Sequence, residues 1–193
     1  MRYPKDHKVK TRRRLLDRGG GYAKKHGFAG SGMDALAAAA GVTTGALYKH
    51  FEGKSDLFAA VVQAELQRTA EMYRVIATDD SEAAMKALAV YLSIHHVRDP
   101  EQGCMLPSLT PEVARADESV RAAFQVGVIE IHAAVARLVG SSDKAWALIA
   151  QNVGAVMIGR AMLDEQAQRD VLSAARREGQ TLLRKPTGSA HEG

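Results

Sequence analysis

Residues 33–51 read MDALAAAAGVTTGALYKHF, and no other stretch restricts the fold as tightly. Two short helices that cross steeply over a tight turn bring their backbones close together. The first then needs a small residue at its fifth position and a residue tolerant of positive φ at its ninth. Ala37 and Gly41 stand there. Leu36, Ala40, Val42 and Leu47 fall where side chains would pack between the two helices and onto the helix before them. An alanine-rich helix ended by glycine explains Ala37 and Gly41, but not the closely spaced second helix. The window predicts a helix-turn-helix.

The rest of the chain reads as helix almost throughout. Its long segments are rich in Ala, Leu, Glu, Lys, Arg and Gln, without the alternating β-branched pattern of a strand. A first helix is expected over about residues 5–26, ended by Gly27. Gly19, Gly20 and Gly21 lie inside it, and interior glycines cost about 1 kcal/mol each relative to alanine, so the helix must kink or be held by tertiary packing. Ser31 is the expected cap of helix 33–40, Thr43 of a helix reaching about His50, and Ser55 opens a longer one to about Ala77. Ser81 is expected to cap a helix to about Val97. Residues 98–111, with Pro100, Gly103, Pro107 and Pro111, read as irregular. Helices follow over about 111–139, with a break near Asp117, then 142–163 and 167–183. Beyond Pro186 the small polar tail 187–193 is expected to be disordered. The fold class is therefore all-α. The expected division is a helix-turn-helix head over 1–54, a larger helical effector-binding and dimerisation domain over 55–186, and the tail.

Composition narrows the class further. With 46% hydrophobic and 25% charged residues in 193, the chain can bury a core and is not a disordered polymer. No run of 18 uninterrupted apolar residues occurs, and the basic opening leads into no apolar segment, so neither a membrane span nor a secretory signal is expected and a cytoplasmic address is. The single cysteine, Cys104, cannot form an internal disulfide, and no Cys/His quartet exists for structural zinc. Charge is uneven: residues 1–60 carry 12 Lys and Arg against 5 Asp and Glu, whereas residues 61–193 carry 14 against 17. A basic front segment on a near-neutral body is the footprint of a polyanion-binding head, although a solvated basic arm has the same composition.

The run Gly41-Val42-Thr43-Thr44-Gly45-Ala46-Leu47-Tyr48-Lys49-His50-Phe51, followed by Lys54-Ser55-Asp56-Leu57-Phe58, resembles the DNA-binding signature of the TetR family of transcriptional repressors. Upstream, Leu15-Leu16 and His26-Gly27-Phe28 fit the family's first helix and turn. The resemblance covers about residues 10–60, and the Gly19–Gly21 run departs from it. It implies that helix 43–50 is the recognition helix, with Thr44, Gly45 and Lys49 nearest the base edges of the major groove. Gly45 permits close approach, and Lys49 is a mobile cation suited to guanine or phosphate. Thr43, Tyr48, His50 and Lys54 take phosphate-positioning roles by resemblance. Arg12, Arg13 and Arg14 are either backbone or minor-groove contacts or a solvated helix face.

One head reads half an operator, so a dimer is required to read a palindrome. The resemblance implies a four-helix interface from the last two helices of each subunit. Helical spacing offers Ala145, Leu148, Ile149, Asn152, Val156, Gly159 and Met162, with Val171, Leu172, Ala175 and Leu182; ordinary core is the alternative for each. The resemblance also implies an effector cavity in the helical body, with Met72, Tyr73, Tyr91, His95, Cys104, Met105, Phe124, Val128, His132 and Trp146 as candidate lining for a small lipophilic ligand. The same residue types equally serve as core. Cys104 is a candidate sensor of electrophiles or oxidants, or a buried inert thiol.

No cofactor or metal is expected. His95 and His96 diverge by about 100° on a helix, and no carboxylate accompanies them with His132. Nucleophile, base and orienting partner cannot be assembled by spacing, and Gly19-Gly20-Gly21 lacks the Lys-Ser/Thr of a phosphate loop, so an enzyme is not expected. The implied function is a DNA-binding repressor released by a ligand; the alternatives are a thiol-based regulator and a DNA-binding structural protein without a ligand.

Overall fold

The computed structural model describes residues 5–184; the expected disordered tail, 187–193, lies outside them. All regular structure among the described residues is helical: α1 Lys5–Arg14, a π-helical turn Leu15–Gly19, α2 Gly20–His26, α3 Met33–Ala39, α4 Thr44–Leu47, α5 Lys54–Arg74, α6 Ser81–Tyr91, α7 Ile94–Arg98, α8 Leu106–Val113, α9 Glu118–Val139, α10 Ser142–Ala161 and α11 Glu165–Leu183. By length and composition α9 alone among these would span a membrane, and 33% of its apolar stretch is buried inside the fold.

Several boundaries differ from expectation for local reasons. Ser31 does not cap α3. Its hydroxyl turns back and donates to the Gly27 carbonyl, and Gly32 takes the cap position. Asp80 rather than Ser81 caps α6, because its carboxylate accepts the Ala83 N–H at 2.8 Å. The helix expected to reach Val97 breaks at Leu92, where the Arg176 guanidinium takes the freed carbonyl at 2.6 Å and His96 Nδ1 meets the Tyr91 carbonyl at 2.7 Å. Within 98–111, two prolines that read as breakers sit inside α8: Pro107 stands in its first turn, where an N–H is surplus, and Pro111 forgoes one helical bond. The break near Asp117 is present.

The described residues form two compact units. The first runs to Thr69 and includes Asp99–Glu130; the second holds Ala70–Arg98 and the chain from Ile131 onward. In the first, Leu15, Phe28, Leu36, Leu47, Phe51, Leu66 and Met105 form a fully covered core. Gly20 of the triple glycine makes sense there. A Cβ on Gly20 would stand 3.3 Å from Val61 Cγ1, so bare backbone lets α2 lie close against α5, whereas a Cβ on Gly21 would only touch the Glu101 carbonyl at 3.6 Å. The π-turn absorbs the helical misfit at that point. Close approach also buries Lys24, whose ammonium donates to Glu65 and to the Gly103 carbonyl, both at 2.8 Å. A buried ion pair is retained only when both partners are present, since stripping one costs about 3–5 kcal/mol. Gly127 of α9 is tighter still: its Cβ would lie 2.5 Å from Leu66 Cβ.

In the second unit α10 and α11 pack against α6 and α7. Leu88, Leu92, Val97, Ala145, Leu148, Val156, Leu172 and Ala175 are buried. A Cβ on Gly159 would stand 3.2 Å from Val97, and one on Gly179 3.0 and 3.1 Å from Leu88 and Leu148. Arg137 donates to the carbonyls of Tyr73, Arg74 and Ile76, closing the end of α5 with a cation where the helix dipole is negative.

Candidate nucleic-acid interface

The α3–α4 pair is held from both sides. Leu36, Ala37, Ala40 and Leu47 are at most 1% exposed, and Val42 is half-buried, so the expected inter-helix contacts form. Gly41 has φ +66°, which completes the turn. Thr43 caps α4, its hydroxyl accepting the Ala46 N–H at 3.2 Å. Thr44 donates its hydroxyl to Asp34 across the turn, which ties the start of α4 to the start of α3.

The outer surface of α4 and the turn behind it carries the side chains that reach outward. Gly45 has open space around it, Lys49 is exposed, and Tyr48 is 54% exposed although its neighbour Leu47 is fully buried. Phe51 is core, and the Arg12 guanidinium stacks 4.5 Å over its ring while donating to the His50 carbonyl at 3.2 Å. One of the three arginines at the end of α1 thus braces the turn after α4; Arg13 leans on Asp17 at 3.6 Å, and Arg14 is exposed. His50 is half-buried, with an Nδ1 that has no partner among the described residues. Burial first, then the positive charges of Lys8, Arg12 and His7, lower its pKa from the usual histidine value and favour the neutral imidazole.

Lys54 is tied inward as well as outward. Its ammonium donates to the Ala29 carbonyl at 2.7 Å and lies 5.7 Å from the Phe28 ring centre, leaving two protons for an anion. The same 27–31 turn is gripped by a residue that sequence reasoning missed. Glu112 of α8 accepts the N–H groups of Phe28, at 3.1 Å, and of Ala29. Nothing in the spacing of residues 84 positions apart signals that bond, nor the one from Ser55 to Asp117.

The candidate effector residues are divided. In the first unit Met105 is fully buried and Cys104 and Phe124 are half-buried, with Cys104 Sγ 3.9 Å from the Thr69 hydroxyl. In the second, Tyr91 is buried, Tyr73 half-buried, Met72 and His95 exposed, and His132 stacks on the exposed ring of Trp146 at 4.2 Å between centres. Of the stripe offered for a second subunit, Ile149, Met162, Val171 and Leu182 are half-buried and the other seven residues are turned inward. Ala145, Leu148, Asn152, Val156, Gly159, Leu172 and Ala175 are buried within the chain, because α6 and α7 cover them.

Comparison with known proteins places this geometry. Residues 21–61 match the family described as bacterial regulatory proteins, tetR family. Among solved structures, the reduced form of Escherichia coli NemR is similar with TM-score 0.75 and 20% identity, over 93% of this chain and 100% of that one. A TetR transcriptional regulator from Legionella pneumophila gives 0.74 and 17% over 89% and 96%. The fatty acid degradation regulator FadR from Bacillus halodurans gives 0.67 and 16% over 93% and 97%. A search of curated proteins gave no match. Residues 21–61 thus carry a head of the kind found in bacterial regulatory proteins of the tetR family, and the chain as a whole shares the fold of these solved regulators.

Proposed function

We propose that the protein is a ligand-responsive repressor that occupies a palindromic operator as a homodimer in the cytoplasm and leaves it when a small lipophilic effector binds. The observation that carries the reading is α4 with the turn after it: Leu47 is sealed into the core while Gly45, Tyr48 and Lys49 stand open on a basic head. Gly45 lets the backbone approach base edges, Lys49 reaches guanine or phosphate, and Thr44 offers its methyl to a thymine. Thr43, Tyr48, His50 and Lys54 position the phosphates. So few polar side chains on α4 leave part of the specificity to DNA shape and half-site spacing. In this reading residues 1–54 are the DNA-binding domain and 55–186 the effector and dimerisation domain. Selection of bound fragments from random duplex DNA tests it. A two-fold symmetric consensus is expected; recovery of unselected sequence would overturn it.

Dimerisation is supported by the outward face of α10, where Trp146, Ala147, Ala150, Met157, Ile158 and Ala161 are exposed. Six apolar residues at helical spacing on one face invite a copy of the same helix. To lower operator occupancy 100-fold the effector needs about 2.7 kcal/mol of preference for the released conformation. A second reading, thiol control through Cys104, draws on the similarity to a regulator solved in a reduced form. Operator binding that is lost on oxidation in the wild type and retained in Cys104→Ser would favour it.

A further inference from the structure

Beside α2 the first unit holds a polar crevice of about 530 Å3 that neither DNA contact nor the expected effector cavity uses. Arg13, Arg18, Lys24 and Arg68 line it, against Asp17 and Glu101. Gly21 widens it, contributing backbone where a side chain would stand against Glu101.

The pairing leaves positive charge over. Arg68 bridges Asp17 at 2.7 Å and Glu65 at 2.9 Å, and Lys24 is sealed onto Glu65. Lys25 meets Glu101 at 3.1 Å. Arg13 reaches Asp17 only at 3.6 Å, and Arg18 has no carboxylate partner among the described residues. With Glu65 and Lys25 included, five cations meet three carboxylates, a surplus equal to the charge of one dianion. The walls are preorganised: Lys24 is buried on two acceptors and Arg68 is braced on two acids, so neither must be ordered when a ligand enters. Planar guanidiniums suit the forked oxygens of phosphate and carboxylate.

We propose that this crevice binds a compact dianion, a phosphate or a dicarboxylate, gripped by Arg18 and Arg13 and seated against Arg68. Calorimetric titration of the full chain, without DNA, with inorganic phosphate in one arm and succinate in the other, at constant ionic strength in chloride, tests it. One saturable site per chain is expected in at least one arm, and the arm that saturates names the oxygen chemistry. Arg18→Gln should weaken it about tenfold or more, whereas Arg177→Gln, which removes the same charge from an exposed position on α11, should leave it unchanged. Arg18 is exposed, so the variant is expected to keep the wild-type melting temperature. Heats that never saturate in either arm, or equal affinity in Arg18→Gln, would overturn the proposal. Because no DNA is present, failure here leaves the operator reading untouched.

Discussion

α4 and α10 both present a face that their own chain leaves uncovered, and the two faces are opposite in kind. α4 is four residues long, and beside its single buried leucine it and the turn after it show glycine, tyrosine and lysine on a basic unit. α10 is twenty residues long and apolar on both sides: one face is sealed by α6, α7 and α11, and the other exposes tryptophan, methionine, isoleucine and alanine. A polar cationic face loses little by standing in water and gains when it meets phosphates. An apolar face of that length is costly in water and gains when it meets its own kind. The first suits a partner that comes and goes, the second a partner that stays.

The largest expected effect tests the α10 side of this contrast. In a two-fold dimer each substitution acts twice, and burial of a methionine or isoleucine is worth about 1.5–3 kcal/mol, so Met157→Glu with Ile158→Glu should weaken dimerisation on the order of 1,000-fold or more. Sedimentation equilibrium reads this directly, and a double variant that remains dimeric would assign the face to something else. On the α4 side, Lys49→Ala should weaken operator binding by about 1–3 kcal/mol or, if the lysine meets only phosphate, lower the salt dependence by about one ion with no change of consensus. Unchanged affinity and unchanged salt slope together would remove Lys49 from the interface.

Smaller effects separate glycines that pack from glycines that do not. Gly127→Ala forces a Cβ to within 2.5 Å of Leu66 and should cost about 1–3 kcal/mol, seen as a melting temperature lower by several degrees. Gly154 on α10 has open space, so Gly154→Ala should stabilise an isolated chain by up to about 1 kcal/mol; a dimer weakened by the same change would show that two copies of α10 approach closely there.

The smallest expected effect concerns pH. His50 has its pKa held below 6.5 in the free protein, so its neutral form contributes stability that is present above 6.5 and lost as pH falls through the lowered value. A nearby phosphate acts the other way and raises that pKa, so DNA binding should take up protons below pH 6.5 and tighten modestly as the solution is acidified. His50→Gln should abolish the proton uptake measured in two buffers of different ionisation enthalpy; uptake that persists would come from another group.

The helix-turn-helix was legible because its constraints are local. Ala37, Gly41, Leu36 and Leu47 lie within a dozen residues, and the steric demands of a tight crossing are written in their spacing. The same economy let Thr43 be read as a cap. It failed at Ser31 and Ser81, where the hydroxyl lost to a competitor: a turn carbonyl in one case, a preceding carboxylate in the other. At α10 it left interface and core open, for a different reason. A helix with apolar residues on every side has no preferred inward face, and only α6 and α7 selected Leu148, Val156 and Gly159 as core and left Met157 and Ile158 outside.

What the chain determined by itself was helical class, the register of the DNA-reading unit and the charge of its surface, because backbone propensity, steric spacing and formal charge are properties of neighbouring residues. Tertiary structure alone decided that Gly20 packs tightly on Val61 and that Lys24 is buried on Glu65. It also decided that Glu112 anchors the turn before α3, and which side of α10 faces water. Those outcomes depend on groups tens of residues apart meeting at a few ångströms, where a single methyl or an unpaired charge changes the sign of the free energy.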